Sequence, residues 1–142
     1  MSRGDIDERV SVATDFIAAF NERDWPAMRT LLADDCAYEE VAKPGRGVAG
    51  ADAVVEAFRA WATAAPALRG QAASVVAAND RVALEVVLEG GAVDSPFGDF
   101  SSADRLPAAL GSMFFAFEDR LVRELHLYFD ALALFQILGI RG

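Results

Sequence analysis

The first half of the chain repeats apolar residues at helical spacing. Between Val10 and Phe20 they recur every three or four positions, which predicts a first amphipathic helix. Asp24 can cap a short second helix that carries Pro26 in its first turn, where a missing N–H costs little. The stretch "ADAVVEAFRAWATAA" has the same spacing and predicts a third helix that ends at Pro66. A short strand, "CAYEEV", is expected between the second and third helices.

The apolar period changes from helical to strand-like in the second half. The segments "ASVVAA" and "RVALEVVLEGG" flank Asn79-Asp80, and "LGSMFFAFE" and "LVRELHLYFDALAL" flank Glu118-Asp119, so each pair predicts a hairpin. Helices followed by a run of strands predict an α+β fold, in which a curved antiparallel sheet wraps around three N-terminal helices. We find no repeat and no linker, and we expect residues 1–142 to form one domain.

The last predicted strand, within "RELHLYFDAL", carries two chemically different faces. A polar trio alternates with an apolar trio: His126, Tyr128 and Asp130 against Leu125, Leu127 and Phe129. Successive side chains of a strand point to opposite faces, so the two trios lie on opposite sides of the sheet. If the polar trio faces the helices, the apolar trio points outward and predicts a homodimer interface. If the apolar trio is core, the polar trio points to water, and spacing alone leaves both arrangements open.

Composition and charge narrow the classes of function. Hydrophobic residues make up 54% of the chain, which is typical of a folded domain, and a net charge of −9 argues against nucleic-acid binding. No apolar run is long enough to cross a bilayer and "MSRGDIDERV" does not resemble a signal segment, so we expect a cytoplasmic protein that does not bind membranes. A single histidine and a single cysteine, Cys36, argue against a metal site and an internal disulfide. The phosphate- and dinucleotide-binding glycine motifs are missing, and we expect no cofactor.

The ending "RELHLYFDALALFQILG" resembles the end of SnoaL-like polyketide cyclases, which belong to the nuclear transport factor 2-like superfamily. The similarity extends over nearly the whole chain, through "FIAAFNERDWPAMRTLLADDCAYEE", "VAGADAVVEAFRAW", "AANDRVALEVVLEGG" and "FFAFEDRLVREL". It implies a cone-shaped fold whose open end holds a small apolar ligand between the helices and the concave face of the sheet.

The resemblance also implies which residues carry the chemistry. Asp130 matches the acid–base aspartate of SnoaL-like cyclases and of limonene-epoxide-hydrolase-like members, which implies that the polar trio faces the pocket. Glu40 falls where ketosteroid isomerases carry their general-base aspartate, and Tyr38 shares its face. The predicted catalytic residues are therefore Asp130, His126 and Glu40. The predicted substrate-binding residues are Tyr38, Trp61, Tyr128, Phe16, Met113 and Phe115.

The sequence departs from the relatives at several of their functional positions. Phe16 and Met113 fall where ketosteroid isomerases carry the two hydrogen-bond donors of the oxyanion hole, and neither side chain can donate. The arginine that bridges two aspartates in the epoxide hydrolases falls near Val86 or Val87, although Glu85 or Glu89 could supply the second acid.

These observations predict a cofactor-independent acid–base enzyme of secondary metabolism that cyclises or rearranges an apolar, oxygenated small molecule. One alternative is an epoxide hydrolase or an epoxide-opening cyclase. A second alternative is a non-catalytic module that binds a small molecule, because the fold itself does not determine function.

Overall fold

The computed structural model of the protein describes residues 3–40, 47–90 and 108–130. The elements follow in the order α1 (Arg3–Glu22), α2 (Trp25–Thr30), β1 (Leu32–Glu40), β2 (Val48–Ala49), α3 (Ala51–Ala64), β3 (Arg69–Ala78), β4 (Arg81–Glu89), β5 (Ala108–Glu118) and β6 (Leu121–Phe129). The three predicted helices and both predicted hairpins are present, whereas the two-residue strand β2 was not predicted. Within these ranges, no helix combines the length and the apolar character needed to cross a lipid bilayer.

The junction between α1 and α2 follows the predicted capping. A side-chain oxygen of Asp24 accepts a hydrogen bond from the Ala27 N–H at 3.1 Å, and proline occupies the first turn of α2. Arg23 turns the chain at a φ of 57°. Its guanidinium donates to the carbonyls of Pro66 and Leu68, both at 2.8 Å, so this turn is tied to the segment that leads into β3.

The sheet is mixed rather than antiparallel, which corrects the prediction. Its strands lie in the order β2-β1-β6-β5-β4-β3, and β1 pairs with β6 in parallel, whereas the other neighbours are antiparallel. Between β1 and β6 the chain passes through α3 and most of the sheet, and so long a connection allows the last strand to run in the direction of the first. Apolar alternation is the same for a parallel and an antiparallel strand, so the sequence pattern could not distinguish them.

The two hairpin turns are held by one helix. Asn79 and Asp119 adopt positive φ values of 53° and 55°, a conformation that Asn and Asp tolerate better than most residues. Glu118 pairs with Leu121, so the second turn lies one residue later than predicted. From α1, Arg9 donates through Nε to the carbonyl of Asp119 at 2.9 Å and through Nη1 to the carbonyl of Asn79 at 3.1 Å. The helix therefore fixes the ends of both hairpins relative to each other.

The core lies between the helices and one face of the sheet. Leu125 is 0% exposed and Leu127 is 8% exposed, whereas Tyr128 is 42% exposed. The apolar trio of β6 therefore faces the helices, and the implied orientation of His126 and Tyr128 toward the pocket is wrong. The reason is that the described helices cover a single face of the sheet, so the strand places its apolar side chains beneath them and alternation sends His126 and Tyr128 to the other face.

Candidate active site

An apolar pocket lies between the helices and the concave face of the sheet. Its volume is about 50 Å³, several times the minimum of roughly 10–15 Å³ for one water. Its described walls are apolar side chains and one glycine: Phe16, Ile17, Phe20, Phe58, Trp61, Leu68, Gly70, Val86, Leu88, Met113, Leu127 and Phe129. The structure thus places three predicted substrate-binding residues, Phe16, Trp61 and Met113, in the wall of one cavity.

Aromatic edge-to-face contacts keep this wall in place. Phe16 meets Phe58 with ring centroids 5.0 Å apart, and Trp61 meets Phe129 at 5.7 Å with perpendicular rings. Phe115, also predicted to bind substrate, is 1% exposed and lies behind the wall with its ring 5.8 Å from that of Phe16. Such pairs interact favourably beyond the area that they bury, so they stabilise the arrangement of the wall.

A carboxylate lies just outside the pocket lining and is bonded to one of the lining residues, Trp61; we call this position the rim of the pocket. Glu40 is the last residue of β1, and its neighbour across the parallel ladder is Leu127, which lines the cavity. Its Oε1 accepts two hydrogen bonds, from the Tyr38 hydroxyl at 2.9 Å and from the Trp61 Nε1–H at 2.6 Å. One strand residue, Tyr38, and one helix residue, Trp61, therefore converge on one oxygen of Glu40. The shared face of Tyr38 and Glu40 is the one that alternation predicted for β1.

Burial keeps the Tyr38 hydroxyl protonated. Tyr38 is 2% exposed, and its ring lies 4.7 Å from the ring of Phe58. Desolvation by burial, followed by the charge of Glu40, raises the pKa of Tyr38 far above its ordinary value. The phenol is therefore a permanent donor toward Glu40. Hydrogen bonds to a carboxylate are stronger than those between neutral groups, so Tyr38 and Trp61 together hold the Glu40 side chain in one orientation.

Two members of the polar trio, His126 and Tyr128, lie on the face of β6 opposite to this cluster. His126 is half-buried on the outer face, opposite Glu39 and Phe114 in the neighbouring strands. Asp130 is exposed and follows Phe129, the last residue of β6, and its N–H donates to the carbonyl of Leu110 at 3.3 Å. The structure thus brings together Glu40, Tyr38 and Trp61 but neither His126 nor Tyr128. The catalytic roles of Asp130 and His126 stay predictions.

The acids considered for epoxide opening are also outside the pocket. Glu85 is exposed, and its Oε1 accepts a hydrogen bond from the Ser74 hydroxyl at 2.7 Å. Glu89 lies on the same face of β4 as Glu85. The lining residues Val86 and Leu88 lie on the other face. Neither glutamate therefore faces the cavity as a second acid, which corrects that expectation. The run from Phe135 to Gly139, which carried part of the resemblance, lies outside the described residues.

Sequence reasoning missed one feature of the wall, a glycine held by an asparagine. The Asn21 side chain donates to the Gly70 carbonyl at 2.7 Å and accepts from the Gly70 N–H at 2.8 Å. A Cβ at Gly70 would lie 3.2 Å from Cγ1 of Val86 and 3.5 Å from Cγ2 of Ile17. These two hydrogen bonds anchor α1 to the start of β3. Because glycine has no side chain, the pocket stays open at that point. A glycine at the start of a strand was the only signal, and it did not indicate a pocket.

Other reactive groups do not add to the site. Burial is the largest cause that raises the pKa of the Cys36 thiol to about 12, so the thiolate is disfavoured and the residue acts as a small core side chain. Over the described part of the chain, no group of three His, Cys, Asp or Glu residues is placed to hold a metal ion.

The fold is similar to that of several solved structures. A protein with a ketosteroid isomerase-like fold from Catenulispora acidiphila, in complex with trimethylamine, is 18% identical, with 92% of this chain and 93% of that chain covered and a TM-score of 0.75. AclR from Streptomyces galilaeus, described as a candidate hydroxylase, is 22% identical over 94% and 97% of the two chains, with a TM-score of 0.70. An LEH-like epoxide hydrolase from M. tuberculosis is 18% identical over 94% and 90%, with a TM-score of 0.69. At these identities the likeness concerns the fold alone.

Sequence comparison establishes the family. No curated protein sequence matches the chain significantly. The sequence profile described as "SnoaL-like domain", however, matches residues 13–125, which span α1 from its middle through most of β6. The chain therefore belongs to the SnoaL-like domain family and has its nuclear transport factor 2-like fold.

Proposed function

We propose that this protein is a cofactor-independent acid–base enzyme in which Glu40 removes a proton from an apolar, oxygenated small molecule. The observation that carries the proposal is the position of the Glu40 carboxylate, which Tyr38 and Trp61 hold at the rim of an apolar pocket. An ionised carboxylate beside an apolar binding surface is suited to general-base catalysis. The structural relatives, which include an epoxide hydrolase and a protein with an isomerase-like fold, support this class of chemistry.

The proposed reaction begins with transfer of a carbon-bound proton to Glu40. The electron pair of the broken C–H bond moves into an enolate, whose carbon then attacks a second carbonyl of the same molecule or takes the proton back at another position. The protonated Glu40 returns its proton to the new alkoxide or carbon, so the product has the formula of the substrate. Tyr38 and Trp61 keep the carboxylate in place through both proton transfers.

The walls of the pocket restrict which substrates can react in this way. Phe16 and Met113 supply no hydrogen-bond donor where related isomerases stabilise the oxyanion, and each such donor is worth about 2.7–4 kcal/mol. A substrate that spreads the negative charge over two carbonyls of its own depends less on such donors. We therefore favour 1,3-dicarbonyl substrates, such as polyketides, over simple steroid ketones. The small cavity suits one apolar ring or alkyl arm, with the reacting carbon at the rim beside Glu40.

Two alternatives have specific support. Glu40 could activate a water or an internal hydroxyl for attack on an epoxide, which would make the product gain water or close a ring. The wholly apolar character of the described pocket wall would also suit a protein that binds an apolar molecule without reacting with it.

Hydrogen exchange in heavy water tests the proposal directly. Wild type, Glu40→Gln and Asp130→Asn would each be incubated in D2O with a 2-alkyl β-keto ester that carries an apolar ring, and deuterium uptake at the central carbon would be followed by mass spectrometry. We expect wild type to accelerate exchange, Asp130→Asn to retain most of this activity, and Glu40→Gln to lose at least about 100-fold, the low end of a general base's contribution.

Other outcomes of these experiments would favour one of the alternative functions. Equal exchange by wild type and Glu40→Gln would overturn the role of Glu40, and loss in Asp130→Asn alone would move the chemistry to Asp130. A parallel reaction of epoxides in heavy-oxygen water would identify epoxide hydrolysis by gain of one labelled oxygen. Saturable binding of the ester without exchange by wild type would favour the non-catalytic reading.

A further inference from the structure

The described wall of the pocket includes a glycine, Gly70, which is the second residue of β3. A Cβ at this position would lie 3.2 Å from Cγ1 of Val86 and 3.5 Å from Cγ2 of Ile17. It would also lie 3.8 Å from Cδ2 of Leu88. All three neighbours line the pocket, so a side chain at Gly70 would project into the cavity.

The backbone conformation at Gly70 does not require glycine. Gly50 is the one described glycine with a positive φ, so Gly70 has backbone angles that other residues can adopt. Glycine also loses more conformational freedom in a strand than alanine does. A glycine inside a strand often marks a place where a ligand or another backbone approaches closely. The space that Gly70 leaves is therefore the property that distinguishes it from alanine.

Gly70 lies at the end of the pocket that is remote from Glu40. Glu40 belongs to β1 and Gly70 to β3, and the strands β6, β5 and β4 lie between them. Neighbouring strands are about 4.8 Å apart, so the four intervals amount to roughly 19 Å along the curved sheet. The lining residues Leu127, Met113 and Val86 lie on the three intervening strands. The cavity therefore extends from the strand beside Glu40 as far as Gly70.

Asn21 holds this remote end of the pocket in place. In the described sheet β3 is an edge strand, and an edge strand has backbone N–H and C=O groups without a strand partner. The Asn21 side chain reaches both backbone groups of Gly70 from α1, at 2.7 Å and 2.8 Å. Two hydrogen bonds from one short amide fix the separation of α1 and β3, and with it the size of the cavity at this end.

We propose that Gly70 is a specificity-determining residue, which sets how long an apolar arm the substrate can carry. The inference rests on the proposed function in one respect, because it takes the arm to belong to the molecule that reacts at Glu40. The described lining is wholly apolar, so it fits a hydrocarbon arm and disfavours a charged tip. Ile17, Val86 and Leu88 all approach within 4 Å of the Cβ position, which favours an unbranched tip. The preferred substrate is therefore a 1,3-dicarbonyl compound with an unbranched alkyl arm whose tip lies against Gly70.

A homologous series of ligands tests this inference. Wild type and Gly70→Ala would be titrated with 2-alkyl β-keto esters that differ only in the length of an unbranched arm, and isothermal titration calorimetry would give the dissociation constants. In wild type, each added methylene should tighten binding by about four-fold until the arm reaches Gly70, after which the affinity should level off. In Gly70→Ala the affinity should level off about one carbon earlier. The longest well-bound arm should lose about four-fold or more, and the shortest arms should bind to within about two-fold of wild type.

A compensating substitution distinguishes lost space from a disturbed fold. Val86→Ala removes the methyl carbon that would lie nearest to the new one, so this variant should accept an arm about one carbon longer. The double variant, Gly70→Ala with Val86→Ala, should return to the length preference of wild type. Gly47→Ala is the matched control, because a Cβ there would meet only the backbone oxygen of Tyr38, at an ordinary 3.5 Å. It should keep the wild-type preference, and circular dichroism would check that each variant is folded.

Uniform weakening of all arm lengths in Gly70→Ala would overturn the inference, and so would an unchanged length preference or a double variant that shows no recovery. Deuterium exchange of the same esters separates this inference from the proposed function. Exchange by wild type together with an unchanged length preference in Gly70→Ala would refute the role of Gly70 alone. Length-dependent binding that shifts in Gly70→Ala, without exchange by wild type, would support the role of Gly70 and refute the chemistry of Glu40. A wild type that binds none of the esters would overturn both.

Discussion

The removal of one hydroxyl group, in Tyr38→Phe, tests the hydrogen-bonded cluster at the pocket rim. The change keeps the ring that packs against Phe58 and removes only the donor that lies 2.9 Å from Oε1 of Glu40. A hydrogen bond to a charged group contributes about 1.5–3 kcal/mol, and the half-buried position of Glu40 reduces this figure. We expect a loss of about 1–2 kcal/mol at pH 8. For a chain of this length that corresponds to a fall in melting temperature of about 3–7 °C.

The same substitution should change how stability depends on pH. The pKa of Tyr38 is raised in the folded protein, mainly by burial, whereas a tyrosine in the unfolded chain titrates near pH 10. The unfolded state therefore loses this proton first as the pH rises. Stability from the protonated phenol is fully present below about pH 10 and falls by about 1.4 kcal/mol per pH unit above it, until the folded pKa is reached.

The two proteins should therefore converge in stability under alkaline conditions. At pH 8, wild type should be more stable than Tyr38→Phe by about 1–2 kcal/mol. At pH 11, this difference in the free energy of unfolding should be smaller by about 1.4 kcal/mol. The contribution of Cys36, whose pKa is also raised by burial, is common to both proteins and cancels in the difference. Urea unfolding between pH 8 and pH 11, followed by circular dichroism, measures the two curves. A difference that stays constant over this range would show that the Tyr38 phenol is not held protonated by the fold, and the reasoning would fail.

Three further substitutions test other parts of the structure. Gly70→Ala adds a methyl group 3.2 Å from Cγ1 of Val86, and it should weaken the binding of an apolar fluorescent probe several-fold while the melting temperature changes by only a few degrees. Trp61→Phe keeps an aromatic wall but loses the N–H donor to Glu40, so probe binding should persist while exchange of the β-keto ester proton slows by about 10-fold or more. Arg9→Ala removes the bonds to both hairpin turns and should lower the free energy of unfolding by about 1–2 kcal/mol in urea titrations; an unchanged value would mean that solvent replaces these bonds at no cost.

The sequence alone determined most of the local structure. Helical spacing located α1 and α3, the Asp24 cap with Pro26 located α2, and the Asn-Asp turn located the first hairpin to the residue. These features depend on backbone preferences and on contacts between residues close in the chain, and such information is contained in a short stretch of sequence. The family was also recognisable before the structure, because the resemblance extended over the whole pattern of elements.

Only the tertiary structure decided which side of each strand is inside. Alternation in β6 separates the polar from the apolar trio, but the pattern is symmetric with respect to the two faces until the helices cover one of them. The resemblance to related cyclases implied the opposite orientation, because it depends on one matching aspartate, whereas the burial of Leu125 and Leu127 shows that the apolar side of the strand faces the helices.

The convergence of Glu40, Tyr38 and Trp61 likewise required the fold. Tyr38 and Glu40 were predicted to share a face because they are two residues apart on one strand. Trp61 lies 21 residues further on, and its N–H reaches Glu40 only because α3 packs across β1. The direction of β1 relative to β6 was undetermined for the same reason: a sequence pattern records which residues alternate, while the packing of distant elements decides what they meet.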